Sequence, residues 1–95
     1  MRHRNRKNVR EAVHLFKSIA SPTRLRIVDF LLNHGPVAVQ DIAAGIKMTH
    51  SAVSHQLAHL SGAQIVKHAK VGREKHYSIA ETKPGLAIVS ALQLV

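Results

Sequence analysis

Eight histidines and no cysteine set the chemistry available to this 95-residue chain. Imidazole can bind a metal, carry a proton or donate to a phosphate. The missing thiols exclude disulfides, thiolate metal sites, iron-sulfur clusters and thiol redox sensing. His55 and His59 stand four apart, a spacing seen in zinc-binding pairs on one helix face. Two imidazoles are not a site, because zinc needs a third protein ligand and partners that orient the rings. A site joining His3 or His14 to a second chain stays open from sequence. No nucleophile stands beside a base, and there is no carboxylate pair or phosphate-cradling loop, so catalysis would rest on isolated histidines and no enzyme is expected.

The hydroxyls and imidazoles concentrate in residues 49–60, THSAVSHQLAHL. Val53, Leu57 and Leu60 recur at i, i+4 and i+7, which predicts a helix with one buried stripe. Ser51, Ser54, His55, Ala58 and His59 fall on the outer half, and the stretch holds no Asp, Glu, Lys or Arg. An ordinary solvated face carries charge. Short hydroxyls, a methyl and imidazoles instead suit close approach to base edges in a major groove, with Thr49 as the N-cap.

Composition points to the same partner. Fourteen Lys and Arg against five Asp and Glu give a net charge of +9, a strong bias toward a polyanion. With one Tyr, two Phe and no Trp, the stacking platforms of single-strand binders are nearly absent, so duplex DNA is favoured. No apolar run has the length of a membrane span, and no apolar signal core follows the basic N-terminus. The expectation is a soluble, cytoplasmic chain without a membrane partner, and no cofactor is implied.

The elements that must position this helix follow in order. Residues 1–8 read as a basic arm ahead of one domain over 9–95, with Arg2, Arg4, Arg6 and Lys7 able to lie along phosphates or to be a solvated tail. Helical spacing starts at Val9 and runs through Val13, Phe16 and Ile19. Ser21-Pro22 opens a second helix to about Asn33, apolar nearly all round and therefore central, which Gly35-Pro36 ends. Val37-Ala38-Val39 allows no more than an edge strand. A short helix over Gln40 to Ile46 and a tight turn at Gly45 to Met48 lead into the polar-faced helix, making a helix-turn-helix. Ser61-Gly62-Ala63 breaks that helix. Ile65 to Val71 and Glu74 to Ala80 then predict a hairpin around Gly72-Arg73, its tip carrying Lys70, Arg73 and Lys75: a wing. Thr82-Lys83-Pro84-Gly85 starts a last helix, and its stretch Leu86 to Val95 is so apolar that it is expected to pair, with the first helix, against a two-fold copy.

Three segments in this order resemble the ArsR/SmtB family of winged helix-turn-helix repressors. Phe16 to Ile27 (FKSIASPTRLRI) is similar to the family's "L-A-x-P-x-R-L-x-I" opening, Ser51 to Leu57 to its "S-x-V-S-x-H/Q-L" helix, and Gly72 to Ile79 to its "G-R-x-x-x-Y-x-L" wing. The resemblance covers about residues 9 to 80 and implies a homodimer that represses transcription by occupying an operator. Two departures matter. The metal-sensing "C-V-C-D-L" segment of many members is Ala38-Val39-Gln40-Asp41-Ile42 here, and Leu86 to Val95 has none of the His, Asp or Glu with which others bind zinc, nickel or cobalt. The resemblance therefore transfers no inducer.

The fold expected is mainly helical with a β-hairpin wing (α-α-α-α-β-β-α), dimeric through its first and last helices. The function expected is sequence-specific repression at an operator palindrome in double-stranded DNA. His50, Ser51, Ser54, His55 and Gln56 are expected to touch bases or nearby phosphates, and Lys70, Arg73 and Lys75 to grip the backbone. The rival readings are a nonspecific nucleic-acid coat, a protein-binding dimerisation module, and a repressor that responds to a metal or to protons through its histidines. For the last, His50, His55, His59, His68 and His76 all fall in the DNA-binding half.

Overall fold

A computed structural model describes residues 4–95, and Arg2 and His3 lie outside the described residues. The first helix, α1, spans Arg6–Ile19 and starts three residues before the apolar pattern does. Its start is set by a cap: Asn5 accepts the Asn8 N–H through its side chain at 2.8 Å, satisfying a donor with no partner inside the helix. The second helix, α2 (Pro22–His34), opens on Ser21, whose hydroxyl accepts the Arg24 N–H, with Pro22 fixing φ in the first turn.

In α2, Ile27, Val28 and Leu31 are fully enclosed, whereas Leu25 and Phe30 are half-buried and Leu32 is exposed. The helix is central, but its apolar band is narrower than its composition suggests. Val37–Ala38 forms strand β1, followed directly by α3 (Val39–Ile46). The tight turn after α3 is made by Lys47 in the left-handed region at φ 58°, not by Gly45, which lies within α3. Gly45 has another task, since a methyl there would overlap the Phe30 ring. Close contact between α2 and α3 requires that residue to lack a side chain.

Thr49 caps α4 (His50–Gly62) by accepting the Ala52 N–H at 3.1 Å. The helix runs through Gly62 and ends within the expected break, two residues past Leu60. Strands β2 (Val66–Val71) and β3 (Glu74–Ile79) form the hairpin, and α5 (Lys83–Leu92) starts on a Thr82 cap. The sheet has three strands rather than two. Val37 pairs with Tyr77 and Ala38 with His76, giving the order β1-β3-β2, all antiparallel. This joins the base of the wing to the start of α3, so the hairpin is anchored to the helix-turn-helix.

The core gathers Ile27 and Leu31 from α2, Ile42 from α3, Leu57 and Leu60 from α4, and Ile88 from α5. Helix α1 stands partly outside it. Leu15 and Ile19 pack inward, while Val9, Val13 and Phe16 form a stripe at i, i+4 and i+7 that faces away from the chain's own core. Helix α5 leaves Leu86 exposed, and Leu94 and Val95 follow it into the open. No described helix is long and apolar enough to cross a membrane.

Candidate nucleic-acid interface

The candidate interface is built on the two faces of α4. Val53, Leu57 and Leu60 have no accessible surface, which fixes the rotation of the helix about its axis. That rotation turns Ser51, His55, Ala58 and His59 outward, with Ser54 half-buried at the edge. A helix held by its apolar stripe and bare of charge on its free side can enter a groove lined by phosphates without carrying an acid into it. Ser54 Oγ lies 3.5 Å from His50 Nδ1, at the limit of hydrogen bonding, so both groups keep capacity for an outside partner.

The wing supplies the cations. Val71 and Glu74 pair across a two-residue loop, Gly72-Arg73, and Gly72 takes φ 65°. Glycine first in a two-residue loop is the pattern of a type II′ hairpin, whose twist matches the strands it joins. Beyond Val66, β2 is exposed along its whole length, so the hairpin projects from the core. Lys70 and Lys75 stand directly opposite each other. Like charges across an antiparallel pair cost stability, and a local conflict of this kind marks a segment kept for something other than folding. Glu74, the only acid on the hairpin, has its Oε2 3.5 Å from His76 Nε2, a contact that is an ion pair only with a protonated imidazole.

Between helix and wing runs an open groove of about 530 Å³. Gln40, His50 and Ser54 line it from the helices, and Arg73, Lys75 and Tyr77 from the wing together with the one acid, Glu74. The fold thus brings together four residues singled out in the sequence, His50, Ser54, Arg73 and Lys75. Ser51 and His55 lie on the outer side of α4, and Lys70 is exposed on β2 beside Lys75. Gln40 and Tyr77 were not anticipated. Only the β1–β3 pairing, which joins segments about forty residues apart in the chain, brings them to the groove.

Gln56 is placed otherwise than expected. Its side chain is half-buried and its Oε1 accepts the Arg24 Nε–H at 2.9 Å, so its carbonyl is committed to α2. Position 56 lies three residues after Val53 and beside Leu57, on the margin of the buried stripe, which turns it toward the body of the domain. Among the described residues, no group of three His, Asp or Glu is assembled closely enough to hold a metal ion.

Three packed helices, the third presented as an insertion element, followed by a basic hairpin, define a winged helix-turn-helix protein. The family described as bacterial regulatory protein, arsR family, matches residues 21–68, from the cap of α2 into the wing. The chain belongs to this family.

Among its relatives, the chain is 39% identical over 71 residues to a transcriptional repressor SmtB homolog of Synechocystis, covering 75% of this chain and 53% of the relative. It is 42% identical over 66 residues to the transcriptional regulator NmtR of Mycobacterium tuberculosis, covering 70% and 54%. The chain thus spans about half the length of these two curated relatives. The crystal structure of the antimony-specific transcriptional repressor AntR superposes with a TM-score of 0.81 at 34% identity, over 95% of this chain and 81% of that one.

Proposed function

We propose that this protein is a transcriptional repressor that binds an operator in duplex DNA as a homodimer. The observation that carries the reading is the uncharged outer face of α4 set beside a cationic wing, with a groove between them. In this arrangement α4 enters the major groove. Ser51, Ser54 and His55 meet base edges, and His50 meets bases or the adjacent phosphates. Arg73, Lys75 and Lys70 hold the sugar-phosphate backbone from the wing. Gln56 supports α4 from behind.

Pairing of two chains supplies the second reading helix. Val9, Val13 and Phe16 on α1 are 52%, 45% and 63% exposed, and Leu86 on α5 is 55% exposed. An apolar stripe of this size on a small protein calls for a cover. A second copy related by a two-fold axis covers it with the same surface and places two α4 helices in successive major grooves, about 34 Å apart.

Selection of bound fragments from the source genome tests the proposal directly, since a repressor enriches one imperfect palindrome. With that duplex, Ser54→Ala and His55→Ala weaken operator binding much more than binding to a scrambled duplex, whereas Arg73→Ala weakens both. No enriched sequence, or equal losses on both duplexes for all three variants, would remove α4 from sequence reading and leave a nonspecific coat.

A further inference from the structure

Among the described residues, Arg24 is the one side chain of α2 whose hydrogen bonds reach two other helices. Its Nη1 donates to the Ser18 carbonyl at 3.0 Å and to the Lys17 carbonyl at 3.4 Å, both in the last turn of α1. Its Nε donates to Gln56 Oε1 on α4 at 2.9 Å. The last carbonyls of a helix have no partner within it and carry the negative end of its dipole, so a guanidinium is suited to this place. The same planar group then fixes a direction toward α4, because its donors lie in one rigid fork. Two residues further along, Arg26 donates Nη2 to the Ile46 carbonyl at 2.7 Å, where α3 ends. One arginine holds the turn of the helix-turn-helix and the other holds the helix that follows it.

The rest of the attachment of α1 is sparse. Leu15 and Ile19 are half-buried, and Ser18, the only buried residue of the helix, turns its hydroxyl back to the His14 carbonyl. No other described side-chain hydrogen bond links α1 to another helix. Its outer stripe is the surface assigned above to pairing.

We propose that Arg24 is a positioning residue that joins chain pairing to DNA reading. It holds α4 in register with α1, so that the two-fold axis set by α1 fixes how the partner α4 helices present their faces. The inference rests on the function proposed above. It assigns Gln56 the role of acceptor for Arg24, not that of a base contact.

Affinity for the duplex selected by the wild-type chain and for a scrambled duplex of equal length is measured for Arg24→Met, Gln56→Met, the double variant and Gln56→Glu. Both single variants are expected to lower the preference for the selected duplex about tenfold, the scale of a lost charge-assisted hydrogen bond. The double variant loses no more than the worse single, as coupled partners do. Gln56→Glu retains the wild-type preference, because its carboxylate accepts from Arg24 in the same place, and all variants sediment as the wild type does. Additive losses, a preserved preference in the single variants, or a Gln56→Glu variant as impaired as Gln56→Met would overturn the inference. If Arg24→Met fails to fold, the two Gln56 variants decide alone. A wild-type chain that selects no duplex fails earlier, and that result sinks the repressor reading together with this one.

Discussion

Replacing Arg73 by alanine removes a cation from each wing of the proposed dimer without touching the core. Arg73 sits exposed in the two-residue hairpin loop, so the substitution is expected to leave stability within about 0.5 kcal/mol. Each phosphate neutralised on B-DNA contributes about 0.9 to the slope of log affinity against log salt. Two copies of Arg73 therefore account for a slope of about 1.8. Between 50 and 200 mM salt that slope amounts to roughly a tenfold change, so the deficit of the variant at 50 mM should shrink about tenfold at 200 mM. Fluorescence anisotropy of a labelled operator duplex across that range, with Ser54→Ala in parallel, provides the assay. Ser54→Ala lowers affinity with its salt slope intact, because it removes no charge. An Arg73→Ala slope equal to wild type would refute the placement of the wing on the backbone.

Two further outcomes concern the scaffold. Phe16→Asp places a charge in the exposed stripe of α1 and withdraws two phenyl rings per dimer from the interface, raising the dimer dissociation constant on the order of a hundredfold or more; unchanged sedimentation would remove α1 from the pairing surface. Gly45→Ala forces a methyl into the Phe30 ring and is expected to destabilise by about 1–3 kcal/mol, read as a melting temperature lower by roughly 4–8 °C for each kcal/mol; an unshifted melt would show that the ring yields freely.

The helical half of the fold was legible because its signals are local. The i, i+4, i+7 stripe of Val53, Leu57 and Leu60 fixed both the existence and the rotation of α4, and Ser21-Pro22 and Thr49 marked helix starts by capping chemistry that needs no distant partner. Errors appear where a boundary depends on polar residues or on remote contacts. Helix α1 begins at Arg6 because Asn5 caps it, yet periodicity can be read only from Val9, the first apolar residue. Gly45 looked like a turn residue, but Lys47 adopts the left-handed conformation and the glycine answers to Phe30, fifteen positions earlier. The edge strand that the sequence allowed at Val37-Ala38 had no visible partner for a similar reason. Val37–Ala38 is too short to declare itself and exists through its pairing with β3.

The candidate site divides in the same way. Exposed groups on α4 and on the wing tip follow from helical phase and hairpin position, both of which are local. Gln56 and Arg24 escaped because the bond that defines them spans 32 positions and lies at a margin where phase alone does not distinguish inward from outward. Gln40 entered the groove only through the sheet.

The facing ammonium groups of Lys70 and Lys75 give the hairpin a property of its own. Alone in solvent, each weakens the ladder that carries the other; a phosphodiester laid between them converts that mutual repulsion into shared attraction. The wing should consequently open readily in the free protein and become slow to exchange its amide hydrogens once DNA is bound. Its base is held by the pairing with β1, and the rigidity of its outer half is then supplied by the ligand.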